Sequence, residues 1–362
     1  METKVPMKKY YICRDFTDAC GISKYGSFFY SSILEPHSFK KIHLKNKNDV
    51  IQTILTINNT DKVWIEIGLG SHLETLCLKK LIKKKNPNIV ITVHDAPFIE
   101  YPIIKFSCRH LNIISKLTQY VILRWPFTLI FYKHLYKIKR FYTLNPKGTT
   151  SIKNRYHLTN VKTIPHILTN ILDVQDKKLE IPQLLYFGFI GKNKGVEYAL
   201  MLHEKINQQL EQKILIKIIG KTLDTRSEFY FQALKNQYSD NVEYMGYVED
   251  NELDILMKED NIVLLPTKNY RVINPTSGSI LNSLKYLNIV FTTKANSNRF
   301  IINDKFNGFF LEEDIDKDSR NIILVIKDKK LRNRMRTNIF YHLIEHYNTS
   351  AVIAEIKRDD YT

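Results

Sequence analysis

The sequence predicts an α/β protein built as two doubly wound parallel sheets. Three observations predict it. Short apolar runs alternate with helix-period segments along most of the chain, and the alternation runs through twice. Some of these runs, such as IVITV at residues 89–93, are near-continuous and β-branched, as strands covered on both faces must be. One run, residues 184–190, passes through a glycine–lysine turn, Gly191 to Gly195, into the amphipathic positions Val196, Ala199, Leu200 and Leu202. That is the strand–turn–helix unit of a parallel sheet. At 362 residues the chain exceeds one average core, so two domains are expected.

The elements follow in order. Tyr10 to Arg14 reads as a strand, Asp18 to Lys24 as a glycine-containing turn, and Tyr25 to Leu34 as a helix. Lys40 to Leu44 reads as a strand, Asn48 to Ile57 as a helix and Lys62 to Ile67 as a strand. Gly68 to Ser71 make a turn, Leu73 to Lys84 a basic helix and Ile89 to Val93 a strand. Arg140 to Leu144 and Val161 to Ile164 complete the first half. The second half reads as strands at 184–190, 214–219, 242–245, 262–265, 289–292 and 308–311. Helices fall between them at roughly 195–211, 226–238, 250–258, 278–287 and 296–303. The switch falls near Leu168 to Pro182, a charged linker, which places the domains at 1–170 and 171–340 with a helical tail over 341–362.

Charge is lopsided. Lys and Arg number 54 against 37 acids, a net of +17. Between Glu100 and Asp173 there is no acid, while twelve Lys or Arg fall there, so one region carries most of the positive field. Such a field draws polyanions: anionic lipid, phosphate-linked acceptors or nucleic acid. The apolar stretch Leu117 to Tyr136 is interrupted by Arg124, Pro126 and Lys133, which argues against a spanning helix. Its mixture of aromatic and basic residues suits a membrane interface, or equally a pair of buried helices with solvated lysines. The four cysteines show no C-x-x-C pair and read as free thiols in a reducing compartment. The N-terminal residues carry no apolar run of secretory length.

The turn at Gly191 to Gly195 is the leading candidate for chemistry. Lys194 stands where a helix begins, and helix-start amides with a lysine favour a phosphate over the alternative, a solvated turn lysine. Metal binding is not expected. Asp314-Ile315-Asp316 forms a D-x-D among other acids and reads as a solvated acidic loop, and no HExxH or zinc spacing occurs. Gly68-Leu69-Gly70 lacks the third glycine of a dinucleotide fingerprint, and there is no G-K-[ST].

Several segments carry a family pattern in a shared order. These are ACGISKYGSFFYSSIL (19–34), TVHDAPF (92–98), FYTLNPKGTTSIKNRY with VKTIPHIL (141–168), FGFIGKNKGVEYAL (187–200), NVEYMGYVEDNELDILMKEDNIVLLPT (241–267) and NPTSGSILNSLKYLNIVFTT (274–293). In these the chain resembles the retaining GT-B glycosyltransferases of family 4. The resemblance implies two Rossmann-like domains facing each other across a cleft. It implies a nucleotide diphosphate sugar as co-substrate, held by the second domain, and transfer with retention to an acceptor held by the first.

Residue by residue, the resemblance makes Lys194 the cation opposite the diphosphate, where new negative charge develops on the leaving group. The family's second cation falls near Phe189, so here it is either missing or comes from Lys192. Gly188, Ser277, Gly278 and Ser279 would hold the diphosphate, and Gly220, Tyr247 and Val248 the nucleotide base. Two family glutamates fall on Asn274 and Asn282, which can hydrogen-bond hydroxyls but offer no full charge. Gly21 and Ile22 would belong to a loop closing on the phosphates. His94 would bond a sugar hydroxyl or orient the acceptor, with Tyr25 and Asp95 beside it; it reads equally as a satisfied structural histidine. His166 reads as structural.

The expected protein is therefore a cytoplasmic, metal-independent glycosyltransferase, peripheral on the inner face of the plasma membrane. Its acceptor would be a lipid-linked or other glycan of bacterial surface polysaccharide assembly (capsule, O-antigen or lipopolysaccharide), and nucleic acid is not an expected partner. The alternatives are a catalytically inactive GT-B scaffold, motivated by Asn274 and Asn282, and a basic nucleic-acid-binding protein.

Overall fold

The computed structural model describes residues 6–14, 21–68, 70–84, 88–99, 133–176, 182–222, 224–270 and 273–358. Most of the basic aromatic segment read at 117–136, part of the turn at 18–24 and part of the linker at 168–182 lie outside the described residues. The chain divides into two compact units. The first comprises Met1–Ile167, Val272–Pro275 and Val352–Thr362, and the second Leu168–Arg271 and Thr276–Ala351.

In the first unit the strands are β1 (Lys9–Cys13), β2 (Phe39–His43), β3 (Lys62–Ile67), β4 (Ile89–Val93), β5 (Arg140–Thr143) and β6 (Val161–Thr163). They pair in the order β2-β1-β3-β4-β5-β6, each neighbouring pair parallel. The helices are α1 (Gly21–Phe29), α2 (Lys47–Thr56), α3 (His72–Lys83) and α4 (Pro146–Tyr156). Two buried clusters carry the sheet. Ile12, Val63, Ile65, Ile67, Ile89 and Ile91 belong to one, and Tyr11, Tyr25, Phe29, Trp64, Val90 and Tyr142 to the other. Alternate side chains of β3 thus enter opposite layers, as the pleat requires. The indole of Trp64 donates to the Thr92 hydroxyl on β4 at 2.8 Å, so the largest buried side chain leaves no donor unpaired.

Two departures from the sequence expectation occur here. Residues 21–24 open α1 rather than forming a loop, and α1 runs into a π-helical turn over Tyr30–Leu34. Helix α4 was not anticipated, because it buries little beyond Ile152 and Tyr156. Its ends are set by local chemistry: Asn145 caps the start by accepting from Gly148 N at 2.8 Å, and Pro146 occupies the first turn.

The second unit repeats the plan with β7 (Gln183–Phe187), β8 (Ile216–Ile219), β9 (Val242–Gly246), β10 (Asn261–Leu265), β11 (Ile289–Thr292) and β12 (Phe309–Phe310). Their order is β12-β11-β10-β7-β8-β9, again parallel throughout. The helices are α5 (Val196–Asn207), α6 (Thr225–Gln237), α7 (Asp250–Lys258), α8 (Gly278–Lys285), α9 (Ile315–Lys327), α10 (Lys329–His346) and α11 (Thr349–Lys357). In α11, Val352 and Ile356 are buried in the first unit's aromatic cluster. The helix expected over 296–303 is only a short 3₁₀ turn, Asn298–Phe300. The reason is Asn298, whose buried amide donates to Thr267 Oγ1, Thr292 Oγ1 and Thr293 O at 3.1, 2.9 and 3.2 Å. A side chain tied to neighbouring strand ends in this way competes with helix formation.

One charged cluster lies inside the second unit. Asp260, just before β10, is 1% exposed and pairs with Arg336, also 1% exposed, and with Arg332 on the same helix, α10. Removing the acid would strand two buried guanidinium groups. Asp260→Ala is expected to destabilise the protein by about 3–5 kcal/mol. Urea denaturation followed by circular dichroism checks this, and a midpoint equal to the parent's would show that the cluster contributes nothing.

Candidate active site

In a doubly wound sheet, neighbouring strands whose connections leave in opposite directions open a crevice at their carboxyl ends. In the second unit those strands are β7, which continues to β8, and β10, which continues to β11. The loops after them carry most of the predicted donor residues. Residues 188–195 and 266–279 contain no Asp or Glu, and Lys192, Lys194 and Lys268 form no ion pair among the described residues.

The lysine turn is built from beneath. Tyr186, buried on β7, directs its hydroxyl to Phe189 O and Lys194 O at 3.1 and 3.3 Å. Lys192 to Lys194 form a 3₁₀ turn, and Gly195 follows at φ 79 before α5 begins. A Cβ on Gly195 would fall 1.9 Å from Pro266 O, so only glycine lets this turn sit against the β10 loop. Lys268 N donates to Asn193 O at 3.0 Å and completes the junction. The Lys194 ammonium lies 5.4 Å from the Tyr270 ring centroid, a cation–π contact that leaves the cation's charge unneutralised.

Gly188, Gly220 and Ser279 also come together. The Gly188 carbonyl approaches Gly220 so closely that a Cβ there would be 1.8 Å away, and a Cβ on Gly188 would meet Ser279 Oγ at 2.7 Å. Ser277 caps α8, accepting from Ile280 N at 3.3 Å, and Gly278 is exposed at the helix start. Asn282 lies half-buried one turn further on. Gly220 N donates to Gly246 O at 2.7 Å, which carries the edge across to β9. Past it, Tyr247 is 50% exposed with Lys221 5.2 Å over its ring, while Val248 is buried. A groove of about 330 Å³ adjoins the same turn; Lys192, Tyr198, Tyr230 and Lys268 are among its lining residues. Asn274 is elsewhere. It lies in the first unit, where its N–H donates to Ala96 O at 2.8 Å and its side-chain amide to Ser151 Oγ at 2.9 Å.

In the first unit the corresponding crevice lies between β1 and β3. His94, Asp95 and Ile22 converge on Gly68, just past β3, where a Cβ would meet Ile22 Cδ1 at 2.1 Å and Asp95 Oδ2 at 3.2 Å. Gly21 is exposed at the start of α1. Tyr25 lies beneath the surface at 2% exposure, its ring edge-on to His94 at 4.9 Å and to His166 at 4.7 Å. Burial pushes the His166 imidazole down to about 4, so it is neutral at pH 7. His94 Nε2 lies 2.7 Å from the carboxylate of Glu66 on β3. Sequence reasoning passed over Glu66, although an acid in the fifth position of KVWIEI, an otherwise buried strand, was the available signal. Among the described residues, no three His, Cys, Asp or Glu side chains are grouped to hold a metal ion.

Residues 169–340 match the family model described as glycosyl transferases group 1. The matched residues make up most of the second unit, which is thus similar to a glycosyl transferases group 1 domain. Solved structures agree in fold. Sucrose-phosphate synthase of Thermosynechococcus elongatus superposes with a TM-score of 0.67 at 12% identity, over 97% of this chain and 98% of that one. HepE of Anabaena, in complex with UDP, gives 0.62 at 12% identity over 97% and 99%. TarM gives 0.61 at 13% identity over 86% of this chain, which spans 58% of TarM's length. The two parallel sheets of six strands are thus the GT-B architecture expected from the sequence. No curated protein sequence matches the chain.

The two glycine environments separate a seat from open space. Gly195→Ala is expected to cost at least about 1–3 kcal/mol in backbone strain alone. Gly278→Ala, with nothing within 4 Å, should leave stability unchanged or slightly raised. Thermal denaturation of both variants checks this, and equal effects would mean that the lysine turn is not seated on Pro266.

Proposed function

We propose that this chain is a glycosyltransferase that takes its sugar from a nucleotide diphosphate sugar held by the second unit. The observation that carries this reading is the junction of Lys192, Lys194 and the α8 start at the β7–β10 crevice, whose two loops contain no Asp or Glu. A diphosphate meets two kinds of positive charge there: lysine ammonium groups, and the unpaired N–H groups of Gly278 and Ser279. As the bond to the sugar breaks, the departing phosphate gains charge, and Lys194 stabilises that state more than the ground state. In this reading the cations are supplied by the chain, with no role for a metal. Tyr247 and Val248 face the base, and Ser277 and Asn282 offer neutral hydrogen bonds to ribose or sugar hydroxyls. Related folds support the donor class: HepE structures contain UDP with glucose, or UDP-glucose, and one of TarM contains UDP with α-GlcNAc-glycerol.

Transfer proceeds with retention in this proposal, as in family 4. His94 and Asp95 of the first unit serve the acceptor, a lipid-linked or other glycan in bacterial surface polysaccharide assembly. A thermal-shift screen against UDP, GDP, ADP and CMP sugars tests the donor reading, since a ligand that binds only the folded state raises its stability. One or more sugar nucleotides should stabilise the parent. With that donor, Lys194→Ala should lower turnover by about 10²–10³-fold. Indifference to every member of the panel, or a Lys194→Ala variant as fast as its parent, overturns the reading.

We place the enzyme on the cytoplasmic face of the membrane, held by the acid-free basic region. Lys137 and Lys139 are exposed there beside Tyr136, itself 56% exposed. No helix among the described residues is long and apolar enough to cross a membrane. Replacing Lys133, Lys137, Lys139 and Arg140 should weaken sedimentation with vesicles containing anionic lipid, by roughly 1 kcal/mol per charge near the surface. Unchanged binding of that variant would sink the membrane assignment.

A further inference from the structure

We propose that Glu66 is a positioning residue that fixes the ring of His94, so that Nε2 is committed inward and Nδ1 is the nitrogen left for the acceptor. The role in transfer rests on the reading of His94 given above; the hold on the ring rests on geometry alone.

A carboxylate inside a parallel strand needs a reason. Glu66 is fully buried on β3, on the same side of the strand as Trp64 and the aromatic cluster of Tyr11, Tyr25 and Phe29. Burying a lone carboxylate there costs several kcal/mol unless it is paired. Its Oε2 lies 2.7 Å from His94 Nε2, and His94 is itself 8% exposed. The two residues leave adjacent parallel strands, with Ile67 opposite Val93, and His94 N donates to Ile67 O at 2.9 Å. Backbone and side chain therefore hold the histidine from the same strand.

The other neighbours do not compete for the ring nitrogens. Tyr25 packs its edge against His94 while its hydroxyl, also buried, has no hydrogen-bond partner among the described residues. Burial and the charge of Glu66 raise the phenols of Tyr11 and Tyr25 well above the usual range, so both stay protonated. His166, neutral, spends Nδ1 on Ile167 O at 3.1 Å. Among the described residues, Glu66 is the one hydrogen-bond partner of the His94 ring. A neutral imidazole carries one N–H and one lone pair. With the N–H on Nε2 donated to Glu66, the lone pair sits on Nδ1, where it can accept from a sugar or acceptor hydroxyl. No proton changes hands in this arrangement.

A ring N–H donated to a buried carboxylate exchanges slowly with water, whereas a free one exchanges too fast to observe. In ¹⁵N-histidine-labelled protein, a ring N–H signal correlated to Nε2 should therefore be present, and should vanish in His94→Asn, which assigns it. Glu66→Gln, close in shape and able to accept, should keep the signal, and Glu66→Ala should lose it. With the donor found by the sugar-nucleotide screen, Glu66→Ala should lower turnover about 10–100-fold without changing donor affinity, because donor and Glu66 belong to different units. A proton on Nδ1 in the parent, which needs no variant to fold, overturns the proposal. So does a ring signal that survives Glu66→Ala, or a loss confined to donor affinity. If no sugar nucleotide binds at all, the donor reading fails while the ring signal still decides what Glu66 does.

Discussion

The candidate site of the second unit depends on backbone touching backbone at the tops of strands. Gly195 sits where any side chain would strike Pro266 O, and Gly220 where it would strike Gly188 O. These contacts draw the β7 loop against the β10 loop on one side and the β8 end on the other. Loops are otherwise the loosest parts of a fold. Here the buried Tyr186 hydroxyl, bonded to Phe189 O and Lys194 O, ties the turn to the core. The position of Lys194 is thus inherited from a buried strand residue, which is the condition for a cation to act on a charge that develops at one place.

Electrostatics around the turn follow from what is missing as much as from what is present. Elsewhere in the second unit lysines find acids: Lys205 meets Asp316, Lys213 meets Asp240, Lys217 meets Glu259 and Lys317 meets Glu312. The turn lysines meet none among the described residues. The candidate residues Ser277 and Asn282 are neutral, and the carboxylates that line the groove beside the turn are Glu197 and Glu313. Neutral amides in place of acids weaken the hold on hydroxyls but leave the field on the diphosphate intact.

The fold was legible because parallel sheets write themselves as buried runs. Ile89–Val93 and Ile289–Thr292 could be read to the residue, since every position in them is apolar or β-branched and every one is buried. What was missed lacked that signature. Helix α4 is polar over most of its length and is specified by the Asn145–Pro146 start rather than by a stripe. The 296–303 segment looked helical, yet three hydrogen bonds from one buried amide hold it short. In the candidate site, glycines and lysines of the strand–turn–helix unit could be located from their spacing. Asn274 was grouped with Asn282 through the family resemblance, but a short excursion, Val272–Pro275, carries it into the other unit. Glu66 was invisible to periodicity, because strand pattern alone treats a lone acid as an interruption. Only its pairing with His94, 28 residues away, gives it meaning.

Both units bury a carboxylate against cations or an imidazole, and the end of the sheet at which this happens separates their roles. Asp260 precedes β10, at the amino end of the strands, and is enclosed by Arg332 and Arg336 of α10. Nothing a ligand could reach is tuned by that cluster; it orders a helix against the sheet. Glu66 is the penultimate residue of β3, one residue short of the end where ligands bind to parallel sheets. Its partner there is a histidine with one nitrogen to spare, whereas an arginine offers donors only. The same desolvation cost is met in both places, but only the second arrangement leaves an acceptor atom at the working end of the sheet. That difference in position and partner is why the Glu66–His94 pair is read as functional and the Asp260 cluster as structural.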